Sequence, residues 1–119
     1  MNRAERIGDE MRRQISELIL RDIKDPRLPR MTSVTRVRVT RDLSRATIYV
    51  SVFGSDDDKQ SAITALTSAL GFIRREIGKR MRLRIVPELQ IELDDSIEEG
   101  FRMDRLIDEV LARDARNSQ

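Results

Sequence analysis

The chain has 119 residues, 23 lysines and arginines against 21 acids, and neither cysteine nor histidine. That length makes one domain with a core of its own and no disulfide to staple it. The absent histidine and cysteine remove the usual general base at neutral pH, the reactive thiol and the commonest transition-metal ligands. No apolar run is long enough to span a bilayer, and Met1 to Arg6 leads into a charged helix rather than an apolar signal segment. The expectation is therefore a soluble cytoplasmic protein with no resident cofactor or metal.

Residues 3 to 24 repeat apolar groups at Ala4, Ile7, Met11, Ile15, Leu18 and Ile19, a period near 3.6 that predicts an amphipathic helix. Pro26 disfavours helical geometry in the residue before it, so this helix should stop at Lys24 or Asp25. From Thr32 to Thr40 the residues are mostly β-branched, with Val37 and Val39 on one face and Arg36 and Arg38 on the other. Ala46, Ile48, Val50 and Val52 alternate with Thr47, Tyr49, Ser51 and Phe53, the pattern of a strand with one face on a core. The short link from Arg41 to Arg45 predicts a hairpin between these two strands.

After Gly54 a helical spacing runs through Ala62, Ile63, Leu66, Ala69, Leu70, Ile73, Ile77 and Met81. Gly71 falls inside it and predicts a break or kink there, since a helical glycine costs about 1 kcal/mol relative to alanine. Gly78 is read as a point of close packing between the helix and the sheet. Leu89, Ile91 and Leu93 alternate with polar residues as a third strand, and Met103, Leu106, Ile107, Val110 and Leu111 predict a last helix over about 101–112. Ser96 and Glu99 have the spacing of a capping box for it. The whole is an α+β two-layer sandwich around a three-stranded sheet, one domain over residues 1–119 with its core in about 3–113.

Charge is segregated along this order. Residues 74–84 hold six cations (Arg74, Arg75, Lys79, Arg80, Arg82 and Arg84) against one anion, Glu76. Residues 87–119 hold ten acids and four bases. Clustered cations neutralise phosphates and release counterions, so the local excess points to a nucleic acid, and the acidic end should face away from it. About five phosphate contacts would give a slope of log affinity against log salt near −3.5 to −4.5. Each of these cations can equally be a solvated helix face, as can Arg3, Arg6 and Arg13 on the first helix and Arg36, Arg38, Arg41 and Arg45 around the hairpin. Four aromatics, Tyr49, Phe53, Phe72 and Phe101, leave little room for base stacking. Phe72 is read as bracing the helix corner, with base contact as the alternative.

Asp56 to Asp58 and Asp94 to Asp95 have the oxygen ligands for magnesium, but both stand where a helix is about to start, where acids favour the helix dipole and cap. A magnesium enzyme built on them is the weaker alternative. A helix-turn-helix for duplex DNA is another, but its second helix should expose asparagine or glutamine for base reading, and residues 72–84 contain none.

The order and several segments resemble a known family. Helix-strand-strand-helix-helix-strand is the type II KH arrangement. Lys24-Asp25-Pro26-Arg27-Leu28, Asp42-Leu43 with Ala46 and Tyr49 to Val52, Ala69-Leu70-Gly71-Phe72-Ile73-Arg74, and Arg84-Ile85-Val86-Pro87-Glu88-Leu89 together resemble the bacterial ribosome-binding factor A family. The resemblance implies a type II KH-like domain in which an Ala-x-Gly kink, here Ala69-Leu70-Gly71, replaces the Gly-x-x-Gly loop that clamps RNA. It further implies a monomeric, non-enzymatic, cofactor-free factor for late maturation of the 30S subunit and its 16S rRNA, with a role in cold adaptation. The RNA-binding residues it implies are those three, with Arg74 and Arg84 at matching positions. Arg75, Lys79, Arg80 and Arg82 complete the candidate set from the charge pattern.

Overall fold

The computed structural model describes residues 1–95 and residue 111. In chain order these form α1 (Arg3–Arg21), β1 (Thr32–Val39), β2 (Arg45–Val52), α2 (Asp56–Ser68), α3 (Leu70–Arg80) and β3 (Glu88–Leu93). The helix expected over 101–112, its Ser96 and Glu99 cap and Phe101 lie outside the described residues.

α1 starts where Asn2 accepts the Glu5 N–H at 2.9 Å, as an N-cap residue should. It ends at Arg21, three or four residues before the expected Lys24 or Asp25, because the N–H groups of Asp22 and Ile23 both turn back to the Leu18 carbonyl. That wider closing turn lets Ile23 pack against the core. Met11, Ile15 and Leu18 form the buried face. Near its start, α1 passes so close over β1 that a Cβ on Gly8 would lie 2.5 Å from the Val37 carbonyl oxygen.

β1 and β2 pair antiparallel, and β2 pairs with β3 in parallel, giving the order β1-β2-β3. The parallel return requires a crossover, which α2 and α3 supply. Val34 faces Val50 while Arg36 faces Tyr49, so Thr35 is an extra residue in β1. This β-bulge corrects the strict alternation expected for the strand: Val34 and Val37 are three residues apart, yet both are buried. The Thr35 hydroxyl donates to Asp94 at 2.6 Å.

Ala46, Ile48 and Val50 point into the core with Leu66, Ile73 and Ile77 from the crossover helices. α2 opens on a reciprocal capping box, Ser55 accepting the Asp58 N–H and the Asp58 carboxylate accepting the Ser55 N–H. Asp56 to Asp58 thus occupy the first turn of a helix. Asp95 lies 3.7 Å from Lys59. Among the described residues no group of three or more acids is placed to hold a metal ion, and no helix is long and apolar enough to cross a membrane.

Candidate nucleic-acid interface

α2 gives way to α3 at Ala69, which closes one helix and opens the next with φ −90° and ψ −2°. The break therefore falls two residues before Gly71, and its cause is not the glycine. The Ala69 N–H is shared between the carbonyls of Ala65 and Leu66 at 3.2 and 3.1 Å, the tightening common at helix ends. Ser68 donates back to the Thr64 carbonyl at 3.0 Å, which also bends helices. The 25–28 segment braces this corner. Asp25 receives the Arg27 guanidinium and the Arg27 N–H, Arg27 reaches Ser68 at 3.3 Å, and Ser61 donates to the Arg27 carbonyl. This ion pair holds the Asp25 carboxyl down at about 2, chiefly through the side-chain bond from Arg27. Phe72 packs against the core and lines a hollow with Ala69 and residues 22–26, so it braces the corner.

Beyond the corner, Gly71, Arg74, Arg75, Gly78 and Lys79 line one side of a groove of about 710 Å³, and Arg84, Ile85 and Val86 line the other. Gly71, Arg75, Gly78 and Lys79 share a face because they stand at i, i+4, i+7 and i+8. Gly78 packs against the segment before β3 rather than against the sheet itself: a Cβ there would meet Val86 Cγ2 at 2.9 Å. Gly71 is different. Among the described residues a Cβ there would meet nothing nearer than Arg75 at 3.6 Å, so neither packing against them nor the helical backbone requires a glycine.

The opposite wall is rigidly held. Arg74 donates to the Val86 carbonyl at 2.9 Å and reaches the Pro87 carbonyl at 3.3 Å, and Pro87 is fully buried. α3 ends in a Schellman motif, with Leu83 N–H bonded to Gly78 O at 3.2 Å and Arg82 N–H to Lys79 O at 3.4 Å. Its left-handed position, φ 52°, is filled by Arg82, where glycine is the residue free of strain. Ile85 stands on the rim, 77% exposed.

The nine candidate residues divide accordingly. Gly71, Arg75, Lys79 and Arg84 face the groove; Arg75 and Arg84 have no hydrogen-bond or ion-pair partner among the described residues, and Lys79 has only Glu76 at 3.9 Å. Arg74 is occupied as the brace of the wall. Arg82 is exposed just past the end of α3. Ala69 and Leu70 turn inward and pack on the core. Arg80 points away, to Gln14, Glu17 and Asp22 around α1 at 3.4 Å each. Ile85 and the part of Gly78 in the groove were not expected from the sequence; the i, i+4, i+7 spacing from Gly71 was the available signal for Gly78.

The family model described as ribosome-binding factor A matches residues 3–107. The chain is 50% identical over 113 residues to the ribosome-binding factor A of Acetivibrio thermocellus, covering 95% of this chain and 92% of that one. It is 49% identical over 108 residues to that of Clostridium botulinum strain Hall, covering 91% and 90%. The crystal structure of ribosome-binding factor A from Thermus thermophilus aligns with a TM-score of 0.67 at 26% identity, over 77% of this chain and 97% of that one. A homology model of the Thermus thermophilus factor, fitted into the cryo-EM map of its complex with the 30S subunit, aligns with a TM-score of 0.66 at 26% identity, over 79% and 97%. With half its residues shared across nearly its whole length, the chain belongs to the ribosome-binding factor A family.

Proposed function

We propose that this protein binds the free 30S ribosomal subunit through 16S rRNA and assists late maturation of that subunit, including 16S rRNA processing and growth in the cold. It acts as a monomer on cytoplasmic ribosomes, without catalysis or cofactor. Its fold serves as a type II KH-like domain in which the Ala69-Leu70-Gly71 corner stands in for the Gly-x-x-Gly loop. The supporting comparison is the alignment with a factor fitted on the 30S subunit.

The observation that carries the reading is the groove on α3. Gly71 in its lining leaves room for a backbone to approach closely, and Arg75, Lys79 and Arg84 line it with charge that the protein itself barely uses. Phosphate oxygens are what such a surface can satisfy, with two-pronged bonds from arginine. In co-sedimentation with purified particles, Arg75→Glu/Lys79→Glu/Arg82→Glu should bind free 30S subunits roughly a thousandfold more weakly, at about 1.5 kcal/mol or more per lost charged hydrogen bond. Wild-type affinity in this triple variant would remove the groove from the reading.

Two residues, one in this groove and one just past the end of α3, run against local stability, as expected where a surface is kept for a partner. Gly71 sits within a helix that an alanine would suit better, and Arg82 sits where a glycine would. Gly71→Ala and Arg82→Gly should each raise stability by about 0.5 to 1 kcal/mol in thermal unfolding. Both should weaken 30S binding, the first by blocking approach and the second by removing a cation. Variants that gain stability and bind as before would count against the assignment.

A further inference from the structure

We propose that the turn joining β1 to β2 carries a second part of the same RNA-binding surface, in which Arg41 and Arg45 take phosphates next to those held by the α3 groove. This rests on the RNA reading of that groove.

The fold brings the two together. The Glu88 N–H donates to the Ser44 carbonyl at 2.9 Å, and Arg45 is the register partner of Glu88. The groove wall that carries Arg84 therefore ends beside the hairpin turn. Glu88 is four positions after Arg84, a reach of at most about 14 Å. At about 3.4 Å of axis per phosphate of a strand, roughly four further nucleotides cover that distance.

The turn is also built to hold still. The Thr40 N–H bonds the Arg45 carbonyl at 2.9 Å, and the Arg45 N–H bonds the Thr40 hydroxyl at 3.1 Å. Asp42 Oδ1 accepts from the Thr40 hydroxyl, the Ser44 hydroxyl and the Ser44 N–H at 2.8, 2.7 and 3.1 Å. Leu43 takes the left-handed conformation at φ 62°. All of these bonds are local and none uses the guanidinium of Arg41 or Arg45. Both side chains are exposed and have no partner among the described residues.

The carboxylates here are Asp42 and Glu88, together with Glu5 and Asp9 of α1, which line a hollow with Arg41 but make no ion pair with it. Asp42 stays ionised, its carboxyl held at about 2 chiefly by the Ser44 hydroxyl and then by that of Thr40. Those donors turn one of its oxygens into the turn. Glu88 makes no ion pair with Arg45, which leaves the guanidinium available to an outside anion.

The test is the salt dependence of binding to free 30S subunits. Arg41→Gln/Arg45→Gln should reduce the magnitude of the slope of log affinity against log salt by about 1.4 to 1.8, two phosphates at 0.7 to 0.9 each. Arg41→Lys/Arg45→Lys should keep the wild-type slope. Arg30→Gln, at the opposite end of the sheet, should leave it unchanged. Arg75→Gln/Lys79→Gln should lower it by a similar 1.4 to 1.8. If the turn variant keeps the wild-type slope while the groove variant loses it, the second contact is overturned and the groove stands. If the groove variant keeps the wild-type slope, the underlying RNA reading fails. Unchanged thermal unfolding of the glutamine pair guards against a folding defect in the turn.

Discussion

Gly8→Ala is expected to destabilise the protein by about 2 kcal/mol, although helix propensity alone predicts a gain of about 1 kcal/mol. The two effects oppose each other, and the contact geometry decides between them. The added carbon would fall 2.5 Å from a backbone oxygen of β1, and a backbone carbonyl in a paired strand cannot swing aside as a side-chain tip can. α1 would have to lift, loosening Met11, Ile15 and Leu18 on the face it buries. Forced overpacking of this kind costs about 1 to 3 kcal/mol, and Gly8→Val should exceed that range. For a domain of this size, thermal unfolding of Gly8→Ala should come about 8 °C lower. A higher melting temperature would mean that the helix does not approach the strand this closely.

Ile73→Ala should cost about 3 to 4 kcal/mol, whereas Arg80→Ala should cost under about 1 kcal/mol. Both residues tie α3 to the body of the protein. Ile73 is fully buried in the first turn of α3, and its truncation leaves a cavity that packed neighbours fill only in part. Arg80 makes more contacts on paper, to Glu17 and Asp22, but all three side chains are partly exposed and the distances are 3.4 Å. Water already solvates such pairs, so their loss changes little. Against a total stability of about 5 to 15 kcal/mol, the isoleucine decides whether the groove exists. Denaturant unfolding of the two variants compares them directly, and an Arg80→Ala loss equal to that of Ile73→Ala would overturn the ranking.

The elements that could be read from the sequence are those whose signal is periodic. β2 kept its alternation from Ala46 to Val52 because nothing interrupts it. β1 did not, because Thr35 inserts a residue that a period of two cannot represent. The corner before α3 was expected at Gly71 on propensity, yet Ser68 and Ala69 set it through hydrogen bonds that composition does not reveal. Within the site, charge clustering found the right segment but could not sort its members. Arg80 is three residues after Ile77 and seven after Ile73, so helical spacing already set it beside the core-facing stripe. Arg74 could not have been sorted in this way, since its partners are main-chain carbonyls supplied by a loop thirteen residues on.

The bulge at Thr35 also bears on how copies of the protein avoid one another. β1 is an outer strand, and a flat outer strand is a template on which a second sheet can extend. Here the extra residue breaks the regular repeat of hydrogen-bonding groups, and Arg36 and Arg38 follow it on the exposed face. A second β1 laid antiparallel alongside would meet a mismatched ladder and bring guanidinium groups together. The residue that re-aims Val34 and Val37 toward the core thus also discourages aggregation through the strand edge.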